Sequence, residues 1–422
     1  MKTRIFVLIV MTSMLACTSN MDEEVITPKV EEEDHQKKYL QFHPIEWETE
    51  IELSSSNSII YTLRKPVVYE DLVIVEQARD GGLIGLNRHT GEIIWTRKDL
   101  QNYTDHQVTV HNDMLLCFPE RQALAIDPKS GQTIWQNDYT TWSSHSILAN
   151  HYYRISTDAA GSQVLTEGDV YTGEEEVIHS FEGVEEVRIF RTGSIEFQDK
   201  SYILLNWDNT IHLFDIAKRR VAWTYPYKGI INRYIFHEDK IIITDMYSDS
   251  PDMANITALS ITDGQPIWVN ELSYTHLYFQ SVWHDYLIYN SVGGDYMKIN
   301  LSSGLRETFA SEGTLQKLIA HDDLMYMPGY CHQDNTHHSS GRTIAVFDPE
   351  SMTLIETLLP HVDKNTTHEG ALCGAPEFDD DYTYLGTNMT FSPDGNFIYA
   401  TGKTNQLYCI RICENGALGR GQ

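Results

Sequence analysis

Apolar and polar positions along this chain fall into short alternating runs, and the runs recur at a steady interval. Four stretches share one layout: LIGLNRHTGEIIW (83–95), ALAIDPKSGQTIW (123–135), IHLFDIAKRRVAW (211–223) and TALSITDGQPIW (257–268). In each, an aliphatic run meets a polar turn, and a second run ends in a tryptophan: Trp95, Trp135, Trp223 or Trp268. Alternation over so few residues, broken by turn residues, predicts a strand–turn–strand unit. In three copies Gly91, Gly131 or Gly264 supplies the positive φ that a tight hairpin needs. The steps between the tryptophans are 40, 88 and 45 residues, and the long step spans two units. Such a period predicts a radial or solenoid repeat architecture.

Weaker copies complete the series. Residues 164–181 carry the turn Thr172-Gly173, with Ile178 in the tryptophan place; 295–309 carry Ser303-Gly304; 342–358 carry Asp348-Pro349. Residues 405–416 provide a last inner strand with no aromatic outer strand after it. The segment 43–55 has the opposite character, an outer strand with no inner strand before it, and its Trp47 lies 48 residues ahead of Trp95. It is predicted to pair with the 405–411 strand and close a ring, which removes free sheet edges. Further apolar strands fill the intervals around the polar turns Glu70-Asp71, Asn112-Asp113, Glu238-Asp239, His284-Asp285 and Asp322-Asp323. Two such strands and the two of the hairpin make a four-stranded blade. The expectation is an all-β fold, an eight-bladed β-propeller of four-stranded blades closed by the N-terminal strand. Seven blades is the alternative if 137–181 is irregular. The tryptophans are expected to be structural wedges between neighbouring sheets.

The front of the chain reads differently. Lys2 and Arg4 precede a short apolar run from Ile5 to Met11, then Met14-Leu15-Ala16-Cys17. This is the layout of an export signal, too short to span a bilayer, and the box before Cys17 resembles that of bacterial lipoproteins. Acylation of Cys17 would anchor the chain to one leaflet. The expected organisation is a signal peptide over 1–16, an acidic flexible tether over 17–40, one propeller domain over 41–416 and a short tail over 417–422. The expected location is the outer membrane, on its periplasmic or its surface face. Asp22, Glu23 and Glu24 resemble a surface-export signal, although they stand later than that signal usually begins.

Charge narrows the partners. The chain has 31 Lys and Arg against 60 Asp and Glu, a net charge of -29. Without residues 1–16, which hold Lys2 and Arg4, 29 basic groups remain and the net charge is -31. Such a surface repels nucleic acid and anionic headgroups.

Candidate chemistry gathers where the period breaks. The run YCHQDNTHHSSG (330–341) holds Cys331, His332, Asp334, His337 and His338, and 361–381 adds His361, His368, Glu369 and Cys373. His332, His337 and His338 are candidate zinc or copper ligands, but their spacing fits no standard site. The simpler reading is a pair of long loops, with Cys331 and Cys373 as a possible disulfide. Asp249, Asp252 and Asn255 offer oxygens without the register of a calcium loop. Cys117, in the apolar run MLLCF, is expected to be a buried thiol. No GxSxG, HExxH or phosphate-cradling glycine loop is present, and no catalytic residue is predicted.

The repeat, an aliphatic strand, (Asp/Asn)-x-x-(Thr/Ser)-Gly, a second strand and Trp, resembles the quinoprotein-type propeller repeat. Asn87, His89 to Gly91 and Trp95 carry the likeness, as do Asp127, Ser130, Gly131 and Trp135; Arg219-Arg220 depart from it. FSPDGNFIYATG (391–402) looks more like strands of other bacterial propellers. The resemblance implies one of two groups: dehydrogenases that hold a quinone and calcium, or scaffolds without a cofactor, such as the outer-membrane assembly lipoproteins of the barrel-insertion machinery. The dehydrogenases are longer and often carry a vicinal disulfide, whereas this chain has no Cys-Cys pair. The resemblance therefore implies a non-catalytic, lipid-anchored scaffold with an envelope protein partner and no cofactor. A quinone-dependent oxidoreductase or a carbohydrate-active propeller enzyme is the alternative.

Overall fold

The structure is a computed structural model. It describes residues 40–51, 63, 65–77, 82–100, 108–119, 121–139, 145–246, 254–272, 280–290, 296–309, 318–330, 343–361, 385–402 and 406–412. The strands form eight antiparallel blades of four, laid down in chain order. Blades 1 to 7 occupy 67–97, 109–138, 145–181, 188–226, 230–272, 280–309 and 319–361. Blade 8 takes three strands from 385–411 and its outer strand from Leu40–Glu50. Residues 145–181 form a full blade, which removes the seven-blade alternative.

Ring closure follows the expected pairing. Trp47 lies opposite Cys409 and Glu50 opposite Gln406 in an antiparallel ladder. The same strand begins earlier than the pattern implied and makes a second ladder: Leu40 to Pro44 run parallel to Thr357 to His361 of blade 7. Blades 7 and 8 are thereby joined in one sheet, while the other six stand as separate sheets.

Within a blade the second and third strands are buried on both sides, as in Leu72–Glu76 and Leu83–Asn87, and the outer strand is largely exposed, as in Ile93–Arg97. The apolar core follows the seams. It divides into eight clusters, each joining two neighbouring blades. Burial therefore stabilises blade against blade, so a single blade has little core of its own.

The meander sorts the loops onto two faces. Turns between first and second strands, and between third and fourth, lie together on one face. Backbone bonds tie them to each other: Arg88 N donates to Asp71 O, Val170 N to Asn150 O, Ile261 N to Asp239 O and Leu301 N to Asp285 O. The opposite face carries the connections between second and third strands and between blades. It is here that Tyr330, Thr343 and His361 mark the ends of the strands flanking both histidine-bearing segments.

Candidate interaction surface

The repeated tryptophans act across seams. Each indole Nε1 donates to the carbonyl oxygen three residues ahead of the next blade's turn glycine. Trp47 bonds Arg88 O (2.9 Å), Trp95 Pro128 O (2.8 Å), Trp135 Val170 O (2.8 Å), Trp223 Ile261 O (2.7 Å) and Trp268 Leu301 O (3.1 Å). The ring then lies flat against the glycine. A Cβ added at Gly91, Gly131, Gly173, Gly264 or Gly304 would stand 2.5–2.8 Å from the preceding blade's indole. These glycines answer to two demands: a φ of 69–73°, open mainly to glycine, and contact with a ring in another blade. The residue two places after the tryptophan completes the clasp. Thr49, Arg97, Asn137 and Asn270 donate to the carbonyls of Gly91, Gly131, Gly173 and Gly304 at 2.6–2.8 Å. Trp47, Trp95 and Trp223 are buried, and Trp135 and Trp268 are partly so.

The turns are preorganised by side-chain caps. Asn87 accepts from the backbone of His89 and Thr90, and Asn300 from that of Ser302 and Ser303. Burial works to raise the pKa of Asp169, but donation from Thr172 and Tyr171 holds it below the usual carboxylate range.

One position differs from the expected assignment. Ile178 is buried, but it does not stand at the tryptophan place. Counted from the turn glycine, that place falls on Val177, which is exposed. The outer-strand bulge comes later here: Thr166 pairs Val177 and Leu165 pairs His179, leaving Ile178 as the extra residue. In blade 1 the extra residue is Ile94, just before Trp95. A displaced bulge turns the neighbouring side chain inward.

The bulges also shape the outside. Ile94, Ile134 and Ile267 each precede a tryptophan and are 44–49% exposed, with Ile93 and Val269 exposed beside them on outer strands. These strands carry free edges, and the bulges blunt them against pairing with another sheet. A rigid drum with two loop-bearing faces and an apolar-spotted rim offers broad contact area for a partner, which strand rigidity lets it hold without large reorganisation.

The remaining sequence candidates divide as follows. Cys117 and Cys409 are buried free thiols; burial pushes the Cys117 pKa far up and that of Cys409 to about 12, so both stay protonated. Asn255 lies in the third strand of blade 5. Cys17, Cys331, Cys373, His332, His337, His338, Asp249 and Asp252 lie outside the described residues. Sequence reasoning missed the carbonyl acceptors and the donors at Thr49, Arg97, Asn137 and Asn270. A fixed spacing of two after each tryptophan was the only signal available.

Residues 45–225 match the sequence family described as outer membrane protein assembly factor BamB. No curated protein matches the chain. Among solved structures, BamB from Moraxella catarrhalis is 14% identical, with 87% of this chain and 100% of that chain covered and a TM-score of 0.51. The computationally designed Ika8 protein is 11% identical, with 84% and 98% covered and a TM-score of 0.57. Sqt1 from Saccharomyces cerevisiae is 10% identical, with 84% and 95% covered and a TM-score of 0.55. At such identities the structures share a fold. A BamB-like propeller is thus matched by sequence over 45–225 and by architecture over most of the chain.

Proposed function

We propose that this chain is a non-catalytic propeller scaffold, held at the outer membrane by lipid on Cys17, that binds protein partners in the assembly of outer-membrane proteins. The observation that carries the reading is the match of 45–225 to the assembly-factor family. Two features support it. Five seams share one clasp, which makes the drum a stiff platform. The period breaks at segments whose flanking strand ends open on the connection face, where a partner could be recognised without disturbing the clasps. The acidic surface favours partners with basic patches over nucleic acid.

Deleting the gene in its own host should lower the amount of folded β-barrel protein in the outer membrane, read by heat-modifiable mobility and quantitative mass spectrometry. Unchanged barrel levels would overturn the assembly role. Replacing Cys17 with Ala should move the protein from the membrane fraction to the soluble envelope fraction; unchanged fractionation would remove the lipid anchor from the proposal.

A further inference from the structure

Away from the clasps, three side chains converge at the seam between blades 5 and 6 on the hairpin face. His237 closes the first strand of blade 5, Glu238 follows at φ 51°, and Asp285 belongs to the first hairpin turn of blade 6. One donor atom from each lies within 4.8 Å of the others, with His237 Nε2 at 3.5 Å from Asp285 Oδ1. The imidazole is 14% exposed, whereas the two carboxylates are 62% and 64% exposed. His237 Nε2 is itself buried and makes no hydrogen bond. A buried ring nitrogen without a hydrogen bond is costly to leave so, and here it faces two carboxylates that approach from different blades.

We propose that His237, Glu238 and Asp285 form a binding site for a zinc-class divalent cation that staples blade 5 to blade 6. One imidazole and two carboxylates suit zinc, with three protein ligands and a fourth position for water. Calcium and magnesium take oxygen donors and gain little from the imidazole. Bonds of roughly 2.0–2.2 Å put tetrahedral ligand atoms about 3.4 Å apart. The cluster therefore closes by rotation of the two exposed carboxylates, while the partly buried imidazole stays in place.

Lys240 is the competing cation. Its ammonium lies 3.6 Å from Glu238 Oε2 and 2.5 Å from Asp239 Oδ1. Zinc displaces it from Glu238, and Asp239 retains it, so its charge remains paired. The next seam has an incomplete version of the arrangement: His284 Nε2 stands 3.4 Å from Asp323 Oδ1. That pair is not among the three-ligand groups found in the described residues.

The test is isothermal titration of the chelator-stripped mature chain with zinc chloride, with calcium and magnesium chlorides alongside. The histidine-bearing 330–341 segment is controlled by a His332→Ala, His337→Ala, His338→Ala variant. The expected result is a zinc event that survives in this variant, weakens about tenfold or more in Asp285→Asn and in His237→Ala, and raises the unfolding temperature. Asp285→Asn alters an exposed side chain and keeps the variant foldable. Three outcomes overturn the proposal: no zinc binding, zinc binding unaffected by Asp285→Asn and His237→Ala, or zinc binding lost only with the three loop histidines.

Discussion

Five seams of this propeller are clasped by a tryptophan and a glycine, and three are built without the pair. Where blade 3 meets blade 4, the tryptophan place holds exposed Val177 and the glycine place holds Arg219, at φ 51°. Where blade 6 meets blade 7, the same places hold Thr308 and Met352, the latter at φ 56°. The two residues are lost together because each exists for the other. Without an indole pressed on the turn, a side chain can extend from it, and an L-residue tolerates the left-handed turn at modest cost. The seam between blades 7 and 8 has a different cause. Blade 8 takes its third and fourth strands from opposite ends of the chain, so they share no hairpin turn for an indole to clasp. Buried Glu356 takes the tryptophan place, and the parallel ladder from Leu40 to Pro44 lies against this blade's edge.

Each exceptional seam has its own substitute. Between blades 3 and 4, His179 stands two places after Val177 and hydrogen-bonds the Arg219 backbone, which keeps the second half of the clasp. Around it Phe181 and Phe214 meet its ring edge-on, and Phe181 in turn reaches Trp207. Between blades 6 and 7 the substitute comes from the neighbouring strand. Clasped blades 1, 2 and 5 place Gly85, Ala125 or Ala258 opposite the indole. Blade 6 has Lys298 six residues before its turn glycine, as Gly85, Ala125 and Ala258 are, but with no bulge it pairs Glu307; its chain is buried, and its ammonium lies over the Phe309 ring and donates to Glu350 O at 2.9 Å. The long side chain crosses the seam where the indole would.

The largest effect should come from removing an indole. Trp223→Ala leaves a cavity and an unpartnered Ile261 carbonyl, and should cost about 3–5 kcal/mol in equilibrium unfolding. Thr308→Ala, at the same place in an unclasped seam, should change stability by less than about 0.5 kcal/mol. Equal losses would mean that the clasp carries no special energy.

A comparable loss of about 3 kcal/mol should follow Gly264→Ala, through strained φ and a Cβ 2.6 Å from the Trp223 ring. In a Trp223→Ala background only the φ cost of about 1 kcal/mol should remain. Arg219→Gly should be within about 0.5 kcal/mol of neutral, since no indole lies beneath it and its pair with Glu176 is exposed. An additive Gly264–Trp223 cycle would dissolve the coupling that the comparison rests on.

Acid should act on the blade 3–4 seam. His212 is buried and stacked on Trp207, with ring centroids 3.2 Å apart. Burial lowers its pKa from 6.5 to about 4, opposed by the Trp207 backbone and the Asp208 charge, which both act to raise it. The unfolded chain therefore takes up the proton first. Stability from His212 is present above about pH 6.5 and is lost as pH falls towards 4, by up to about 3 kcal/mol. His179, lowered by burial in the same sense, adds to the slope. Unfolding free energies measured between pH 4 and 7 should flatten in His212→Phe. A slope unchanged by that substitution would place the acid sensitivity elsewhere.

A smaller loss than at Trp223 or Gly264 is expected at Lys298. Lys298→Met keeps the buried stem and loses the bond to Glu350 O, for about 1–2 kcal/mol. A variant carrying Lys298→Ala, Thr308→Trp and Met352→Gly transplants the clasp and should recover that loss in thermal unfolding. Failure to recover it would show that the seam geometry itself has diverged.

Much of this was legible in the repeat. Gly91, Gly131 and Gly264 stand four residues before their tryptophans, and that local interval encodes one hairpin. The hairpin count then yields eight blades, with Trp47 as the orphan strand that completes the ring. Ile178 was misassigned because spacing along a strand cannot reveal a moved bulge; only the pairing partner does. His237 and Asp285 gave no signal, since their polar turns read as ordinary solvated hairpins.

Sequence alone determined what lies within a hairpin: alternation, turn chemistry, period and the mismatch of ends that demands closure. Tertiary structure decided what lies between hairpins. Which carbonyl each indole reaches, why a turn glycine tolerates no Cβ, how Lys298 stands in for a ring, and that His237 meets Asp285 all depend on contacts between residues about one blade apart. The physical reason is that strand and turn preferences act over a few residues, whereas a seam forms only when two completed sheets pack face to face.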